Sequence, residues 1–330
     1  MNAPLRIGTL GAARITPQAL VKPARKLDDV EVVAVAARDP ERAGKYARRH
    51  GIPHVHRSYE ELIADPEIDA IYNPLPNSLH ARWTLAAIAA GKPVLCEKPF
   101  TSNAAEAEEV VAAADDAGVM VMEAFHYRYH PLAARMHEIV SDGTLGQVRK
   151  IETAMCIPLP LPNDIRYRYE LAGGATMDVG CYALHMNRLL GGADPQVVSA
   201  QAKRWRRDPD IDRWMRAQLE YPDGVRGTVT CALFSARLLD ISVRVTGDDG
   251  TLRVFNPTRP QSFHRLVVRT ADGRRRERFP GEGSYSRQLR AFVAAVRDGG
   301  PVLTSARDAI ANMELIDAVY DAAGMKRRGT

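Results

Sequence analysis

Residues 1–124 alternate short apolar runs with helix-like segments, and no other feature of the sequence constrains the fold as strongly. The apolar runs begin at Leu5, Glu31, Ile68, Val94 and Val119. Segments of helical composition lie between them, over 40–50, 78–90 and 103–117. Strands that are apolar on both faces are typical of a parallel sheet covered by helices on each side. The alternation therefore predicts a doubly wound α/β domain over residues 1–124.

Residues 125–330 follow a different pattern, in which strands and turns predominate. Helices are predicted near 132–140, before Leu190 and over 285–297 and 305–323, and a strand over 147–157. Between 196 and 279, turn sequences such as Pro222-Asp223-Gly224 separate successive strands. We expect an α+β domain with an open, mainly antiparallel sheet.

The overall charge and the cysteines narrow the functional classes. The 330 residues carry a formal charge of +5 from scattered arginines, which suits an anionic small ligand better than nucleic acid. The four cysteines form no CxxC pair and lie within apolar runs, as in a reducing compartment. The sequence has no signal-peptide pattern and no apolar run near the roughly 20 residues of a membrane span. We expect a cytoplasmic protein that contacts neither nucleic acid nor membrane.

A glycine turn follows the first predicted strand. Gly8, Gly11, Ala12 and Ala13 form a GxxGxA pattern, in which Ala13 takes the position of the third glycine of GxGxxG. Such a turn between a strand and a helix lets the pyrophosphate of a dinucleotide approach backbone N–H groups. A tight βα turn that binds no ligand is the alternative, because the pattern alone has low specificity.

The end of the second predicted strand is basic rather than acidic. NAD-selective sites usually carry an acidic residue here, which accepts hydrogen bonds from the ribose hydroxyls. In this chain Arg38 follows the strand and can stack on adenine and pair with a 2′-phosphate, and Arg42, one helical turn further, can assist. We interpret Asp39 as the N-cap of a helix that begins at Pro40, with ribose binding as the alternative. The pattern predicts a preference for NADP over NAD.

Lys98 follows directly after the predicted strand that ends at Cys96. Ligands of open α/β sheets bind at the carboxyl ends of the strands. The ammonium of Lys98 is therefore expected near the nicotinamide end of the cofactor, with Glu97 positioning it. A surface lysine at the end of a strand is the alternative.

Asp178, Tyr182 and His185 have i, i+4 and i+7 spacing on one predicted helix, which places them on one face. The helix is otherwise largely apolar, so these side chains need buried partners or a cleft. A tyrosine with an ordinary pKa of about 10 becomes a usable proton donor or acceptor when an ammonium such as that of Lys98 lies nearby. Asp178 and His185 would then orient substrate hydroxyls. The alternative is that all three are buried structural groups.

Several segments occur in the order that is characteristic of a known family. They are GTLGAARI at Gly8, AARDPERA at Ala36, YEELIADPEIDAIYNPLPNSLH from Tyr59, AAGKPVLCEKP from Ala89, MEAFHYRYHP from Met122, GTLGQV from Gly143 and GGATMDVGCY from Gly173. Through them the chain resembles the glucose–fructose oxidoreductase / inositol dehydrogenase (Gfo/Idh/MocA) family nearly from end to end. EKP and GGxxxDxGxY in this order are specific signals.

The resemblance implies a Rossmann domain over 1–124 and a substrate-binding α+β domain over 125–330, whose open sheet mediates homodimer or homotetramer contacts. Many members of the family place a histidine where this chain has Tyr182. With a tyrosine at this position, the chain resembles the branch of the family that contains dimeric dihydrodiol dehydrogenase and NADP-dependent D-xylose dehydrogenase. In that branch the EKP lysine and this tyrosine form the proposed catalytic pair, here Lys98 and Tyr182, and Arg38 resembles an NADP-binding arginine.

The resemblance also implies further site residues. Arg166, before the double glycine, would contact substrate or cofactor. The cofactor site would be formed by Gly8, Gly11, Ala12, Ala13, Arg14, Ile15, Arg38, Arg42, Pro74, Leu75, Asn77, His80, Glu97 and Lys98. No metal site is expected, because His126 and His130 lack the glutamate of an HExxH motif.

These features favour hydride transfer between NADP, or NAD, and a carbon of a sugar, polyol or related cyclic alcohol or ketone. Two alternatives stay open. One is an NAD-dependent glycosidase that oxidises a ring carbon transiently, eliminates the leaving group and re-reduces the ring. The other is a non-catalytic, dinucleotide-sensing regulator, which would have no need of both Lys98 and Tyr182.

Overall fold

The computed structural model describes residues 3–330. The strands are β1 Leu5–Leu10, β2 Val30–Ala36, β3 His54–His56, β4 Ala70–Asn73, β5 Val94–Cys96, β6 Val121–Glu123, β7 Val148–Cys156, β8 Gln196–Trp205, β9 Asp208–Glu220, β10 Arg226–Ala232, β11 Asp240–Gly247, β12 Gly250–Phe255, β13 Arg265–Thr270 and β14 Gly273–Glu277. The helices are α1 Lys22–Ala24, α2 Pro40–His50, α3 Tyr59–Ala64, α4 His80–Ala89, α5 Ala104–Ala117, α6 Pro131–Ser141, α7 Cys181–Gly191, α8 Ser284–Asp298 and α9 Ala306–Ala322.

Packing divides the chain into two units. The first contains the described residues up to His126 together with Ser284–Ala309, and the second contains Tyr127–Gly283 and Ile310–Thr330. Helix α8 therefore packs with the first unit, against the first helical segment (Pro17–Val21 and α1), although it follows β14 in sequence. The division of function between residues 1–124 and 125–330 stays a prediction.

The first unit is built on a parallel sheet with the strand order β3-β2-β1-β4-β5-β6. The order reverses between β1 and β4, which is where dinucleotides bind in doubly wound sheets. Every residue of β4 and β5 is buried, as expected for strands covered on both faces. The topology confirms the predicted Rossmann fold.

Helix α3 packs closely on β1, and Gly8 makes this possible. A Cβ atom at Gly8 would lie 2.7 Å from Leu62 Cδ2 and 3.0 Å from Ile68 Cδ1. The helix begins after Ser58, whose Oγ accepts a hydrogen bond from Glu61 N–H at 3.1 Å. Sequence periodicity did not indicate α3, because six residues are too few to establish a helical period.

The second unit is built on a sheet with the strand order β14-β13-β12-β11-β7-β10-β9-β8. Strands β7 and β10 run parallel, and the other neighbours run antiparallel, which confirms the predicted α+β domain. Helix α7 lies on β7 through polar contacts. Thr153 Oγ1 donates to Ala183 O at 2.8 Å and accepts from Asn187 Nδ2 at 3.1 Å. These bonds fix the position of the helix along the strand.

The structure also bears on two features of the composition. Across residues 3–330, no helix combines the length and the apolar character that a membrane crossing requires. The cysteines are buried, and burial raises the pKa of the Cys156 thiol to about 11. A thiol in such surroundings is a poor nucleophile, as expected of a packing residue.

The packing at Gly8 predicts that replacing this glycine by alanine lowers the free energy of unfolding. In Gly8→Ala the added methyl group presses on Leu62 and Ile68, so we expect a loss of about 1–3 kcal/mol in the free energy of unfolding, measured with urea. Gly44→Ala is the matched control, because its Cβ has Arg48 Nη1 as nearest neighbour at 3.5 Å and replaces a glycine inside α2. The control should gain about 0.5–1 kcal/mol. Equal stabilities of the two variants would contradict this account.

Candidate active site

The glycine turn joins β1 to the first helical segment. Gly11 has a φ of +83°, and its backbone N–H donates to Ala36 O at 2.6 Å. A Cβ at Gly11 would be strained at this φ and would lie 3.0 Å from Leu75 Cδ2. Gly8 lies inside β1, where its missing side chain makes room for the protein core. The two glycines therefore have different roles.

Two side chains of α2 hold the carbonyl oxygens of the glycine turn. Arg42 Nη2 donates to Ala12 O at 3.0 Å, and Tyr46 Oη donates to Ala13 O at 2.9 Å. Because the C=O and N–H of a trans peptide point in opposite directions, the N–H groups of Ala13 and Arg14 are directed away from α2. This polarity suits an anion, so the turn fits the pyrophosphate of a dinucleotide.

The chain then enters the first helical segment. Ile15 O accepts hydrogen bonds from Gln18 N–H and Ala19 N–H, both at 2.9 Å. A π-helical turn over Pro17–Val21 follows and continues into the three residues of α1. Arg14 is exposed and Ile15 is half-buried at the beginning of this segment.

The end of β2 presents a cationic side chain. Arg38 is exposed there. Asp39 Oδ1 accepts hydrogen bonds from Glu41 N–H at 3.0 Å and from Arg42 N–H at 3.1 Å, which confirms its interpretation as the N-cap of α2. The carboxylate of Asp39 is thus occupied by the helix, and the exposed side chain at this strand end is cationic.

A buried network connects the segments that follow β4 and β5. Asn73 Nδ2 donates to His80 O and to Thr84 Oγ1, each at 3.1 Å. The His80 ring contacts Pro99 O at 2.8 Å through Nδ1 and Leu75 O at 2.7 Å through Nε2. His80 is 1% exposed, so it acts as a bridge between the two segments. Pro74 and Leu75 are buried beside it, and Asn77 begins the 3₁₀ turn that precedes α4.

Lys98 is half-buried, two residues beyond β5. On one side, Glu97 Oε1 accepts a hydrogen bond from Tyr72 Oη at 2.7 Å, and Glu97 N–H donates to Asn73 O at 3.0 Å. On the other side, the peptide bond from Lys98 to Pro99 is cis, and His80 contacts Pro99 O. The backbone of Lys98 is therefore held from both sides at the carboxyl edge of the sheet.

A second cluster of site residues lies in the second unit. Asp178 belongs to a π-helical turn, Thr176–Gly180, and not to the α-helix that its spacing to Tyr182 assumed. Its Oδ2 lies 2.8 Å from Arg166 Nε, and Arg166 Nη1 lies 3.0 Å from Asp164 Oδ1. The Asp178 carboxylate raises the pKa of Arg166, so the guanidinium stays charged. Arg166 and Asp178, which the sequence suggested separately, are thus brought together.

Tyr182 and His185 lie in α7 and share a buried neighbour, Tyr127. Tyr127 Oη lies 2.5 Å from His185 Nδ1. The ring centroid of Tyr127 lies 6.0 Å from that of Tyr182 and 5.6 Å from that of His185. Sequence reasoning missed Tyr127, because its segment was considered only for its two histidines. The family segment that contains it was the available signal.

The two histidines of that segment make other contacts. His126 Nδ1 lies 2.8 Å from Ser284 Oγ, and His130 Nδ1 accepts a hydrogen bond from Leu132 N–H at 3.2 Å. Within the part of the chain that the structure describes, no group of three or more His, Cys, Asp or Glu side chains is arranged to hold a metal ion.

The fold and these clusters define an oxidoreductase with a dinucleotide-binding Rossmann domain. The model of the oxidoreductase family with the NAD-binding Rossmann fold matches residues 5–125, and that of the GFO/IDH/MocA C-terminal domain matches residues 133–253. The chain therefore belongs to the GFO/IDH/MocA family, which confirms the resemblance inferred from its motifs.

Three proteins illustrate the similarity. The chain is 39% identical to D-xylose 1-dehydrogenase (NADP(+)) 2 of Haloferax volcanii, over 97% of each chain. It is 36% identical to trans-1,2-dihydrobenzene-1,2-diol dehydrogenase of Sus scrofa, over 69% of this chain and 67% of that protein. A 3-ketoreductase from Actinomadura kijaniata, solved with NADP and TDP-benzene, superposes with a TM-score of 0.89 at 29% identity, covering 97% of this chain and 98% of the other. That enzyme has also been solved with one tyrosine replaced by phenylalanine and with one lysine replaced by alanine.

The buried position of His80 predicts a pH dependence of stability. Burial lowers the pKa of His80 from 6.5 to about 4, against the opposite effect of its two carbonyl contacts. The unfolded chain therefore binds a proton on this residue more readily than the folded protein does. The contribution of the neutral His80 ring to the free energy of unfolding is complete above pH 6.5 and is lost as the pH falls toward about 4.

We expect His80→Gln to reduce this acid sensitivity. Its free energy of unfolding should fall less steeply between pH 6.5 and 4 than that of the parent, by about 1–3 kcal/mol over the interval. Urea unfolding at several pH values measures the slope, and His54→Gln on the exposed strand β3 is the control. Parallel slopes for the parent and His80→Gln would show that the ring does not titrate as described.

Proposed function

We propose that this protein transfers hydride between NADP and a carbon of a sugar, a polyol or a related cyclic alcohol or ketone. The observation that carries this proposal is the placement of Lys98, whose backbone is held by Glu97 on one side and by the His80 contact to Pro99 on the other. The relatives that act on xylose and on a dihydrodiol support the same class of substrate.

Residues of the first unit would hold the cofactor. The N–H groups of the glycine turn, from Gly11 to Ile15, would bind the pyrophosphate, and Arg38 would pair with the 2′-phosphate. Arg42 would support both groups, because it bonds to Ala12 O and lies on the helix that follows Arg38. When bound, NADP supplies or accepts the hydride.

Tyr182 would transfer the proton. Oxidation of a secondary alcohol requires loss of a proton from oxygen as well as loss of hydride from carbon. A tyrosine with an ordinary pKa of about 10 is a poor base at neutral pH. The ammonium of Lys98 would stabilise the phenolate and hold the substrate oxygen, so that Tyr182 accepts the proton in oxidation and donates it in reduction.

The neighbours of Tyr182 would orient the substrate. The Asp178 carboxylate and the His185 ring would bind hydroxyl groups next to the reacting carbon. Arg166 balances the charge of Asp178, and the Tyr127 contact fixes the orientation of the His185 ring. These residues would select substrates that carry several hydroxyl groups, as sugars do.

We propose a cytoplasmic homodimer or homotetramer that associates through the open face of the second sheet. Side chains on one face of this sheet, among them Arg244, Arg253 and Arg269, are exposed, so this face is accessible to a partner subunit. Sedimentation velocity of the purified protein measures the oligomeric state.

The role of Tyr182 is tested by Tyr182→Phe. We expect kcat to fall about 10²–10⁴-fold, because the proton has no acceptor, while the affinity for NADPH is retained. Tyr221→Phe is the matched control, since Tyr221 is also a buried tyrosine of the second unit, its Oη donates to Asn187 O at 2.7 Å, and it is not among the proposed site residues. It should lose about 1 kcal/mol of stability and keep its turnover. Full turnover by Tyr182→Phe would refute the assigned role.

The role of Arg38 is tested by Arg38→Ala. We expect kcat/KM for NADP to fall about 10–100-fold, with little change for NAD, because only NADP carries the 2′-phosphate. Arg49→Ala, near the end of α2, is the control and should leave both values unchanged. A parent enzyme that strongly prefers NAD would contradict the proposed cofactor.

The substrate class is tested with a panel of sugars, polyols and glycosides, each with NADP and NAD. An increase in the absorbance of reduced nicotinamide, with a free sugar or polyol as substrate, supports the proposed dehydrogenase activity. Release of a glycosidic leaving group with no net change in nicotinamide would instead identify the glycosidase. Dinucleotide binding with no turnover of any compound would favour the regulator.

A further inference from the structure

A fully buried ion pair lies next to the double glycine that precedes the helical segment of Tyr182. Arg328, in the segment after α9, and Asp212, in β9, are each 0% exposed, and Arg328 Nη2 lies 3.0 Å from Asp212 Oδ1. The guanidinium also lies over the ring of Tyr320, with 4.1 Å between Cζ and the ring centroid. Buried charges of this kind are tolerated only when further hydrogen bonds satisfy them.

Asp212 also accepts hydrogen bonds from the beginning of the helical segment and from α9. Asp212 Oδ2 accepts from Thr176 N–H and from Thr176 Oγ1, both at 2.7 Å, and Oδ1 accepts from Tyr320 Oη at 2.9 Å. Thr176 is the first residue of the π-helical turn that contains Asp178. Through Asp212, the ion pair is therefore bonded to the first residue of this turn.

The same pair packs directly against the double glycine. Arg328 Nε donates to Gly173 O at 2.6 Å. Gly174 has a φ of +129°, and a Cβ there would lie 2.2 Å from Asp212 Oδ1 and 2.9 Å from Arg328 Nη2. The glycine is thus required because a side chain at this position would occupy the space of the ion pair.

On its other side the double glycine is bonded to the segment of Arg166. Gly174 N–H donates to Arg166 O at 2.8 Å, and Gly173 N–H donates to Arg168 O at 2.9 Å. The backbone of Arg166 is thereby fixed, and its side chain pairs with Asp178. A continuous chain of contacts runs from Arg328 through Gly173 and Gly174 to the Arg166–Asp178 pair.

We propose that Arg328 is a positioning residue for the substrate cluster, acting through Asp212 and the double glycine on Asp178 and Tyr182. The inference rests on the proposed function, in which those residues bind and protonate the substrate. A gain in stability does not explain the presence of this ion pair, because replacing a buried ion pair by apolar residues is often neutral or stabilising. Directional bonds to Gly173 O and Thr176, in contrast, set the orientation of the helical segment.

The experiment compares the parent with Arg328→Lys and with the double variant Arg328→Met/Asp212→Asn. The double variant removes both charges and so leaves no isolated buried charge. We expect kcat/KM for the sugar to fall about 10–100-fold in the double variant, and less in Arg328→Lys, because small displacements of catalytic groups have effects of this size. The Kd of NADPH, measured by fluorescence, should stay within about twofold, since the cofactor residues belong to the first unit.

Arg327→Ala is the matched control. Arg327 neighbours Arg328 but is 48% exposed and pairs with Asp321, so this variant should keep the parent values of kcat/KM and Kd. If the double variant does not fold, Thr176→Val removes one donor to Asp212 with little change of volume and should lower kcat/KM several-fold. The inference is overturned if folded variants keep the parent kcat/KM, or if NADPH binding weakens in the same proportion.

Hydrogen exchange separates this inference from the proposed function. Amides of residues 173–182 should exchange faster in Arg328→Lys than in the parent, whereas amides of α5 should not change. A parent that turns over no sugar would contradict the proposed function, and the exchange data would still decide whether Arg328 holds the segment. Unchanged exchange over 173–182 would overturn the positioning role.

Discussion

A buried polar group without a partner costs about 1–3 kcal/mol, and this constraint fixes the backbone around both clusters of site residues. In the first unit, the buried amide of Asn73 donates to His80 O and Thr84 Oγ1, and the N–H of the neutral His80 ring has a backbone carbonyl as its acceptor, next to the proposed cofactor segments. In the second unit, the buried carboxylate of Asp212 accepts hydrogen bonds from Thr176, Tyr320 and Arg328. Each network fixes the backbone of segments close in sequence to a proposed catalytic side chain.

In both units, the groups that hold the backbone differ from the side chains that are proposed to carry out the reaction. The flexible side chain of Lys98 begins from a backbone held by Glu97 and Pro99. Tyr182 lies in α7, which follows the π-helical turn that Asp212 contacts at Thr176, and the contacts of Thr153 and Asn187 hold α7 on β7. Groups that transfer protons need defined positions, and residues locked by neighbouring hydrogen bonds provide them.

Much of the fold and part of the site could be predicted from the sequence. The Rossmann topology follows from the alternation of apolar strands and helices, and the cap at Asp39 follows from the short Asp-Pro signal. The residues that fix the clusters could not be found in this way, because they contact partners far away in sequence. Tyr46 bonds to a residue 33 positions away, Tyr127 to one 58 positions away and Arg328 to one 116 positions away. The π-helical turn at Asp178 was also missed, because periodicity cannot distinguish one wider turn within a helix.

The most direct test of the account is a crystal structure of the protein with NADP and a sugar that it turns over. We expect Tyr182 Oη and Lys98 Nζ both to lie within hydrogen-bonding distance, about 2.6–3.2 Å, of the same substrate oxygen. The carbon bearing that oxygen should face C4 of the nicotinamide. A complex in which either side chain lies remote from the reacting oxygen would contradict the central claim.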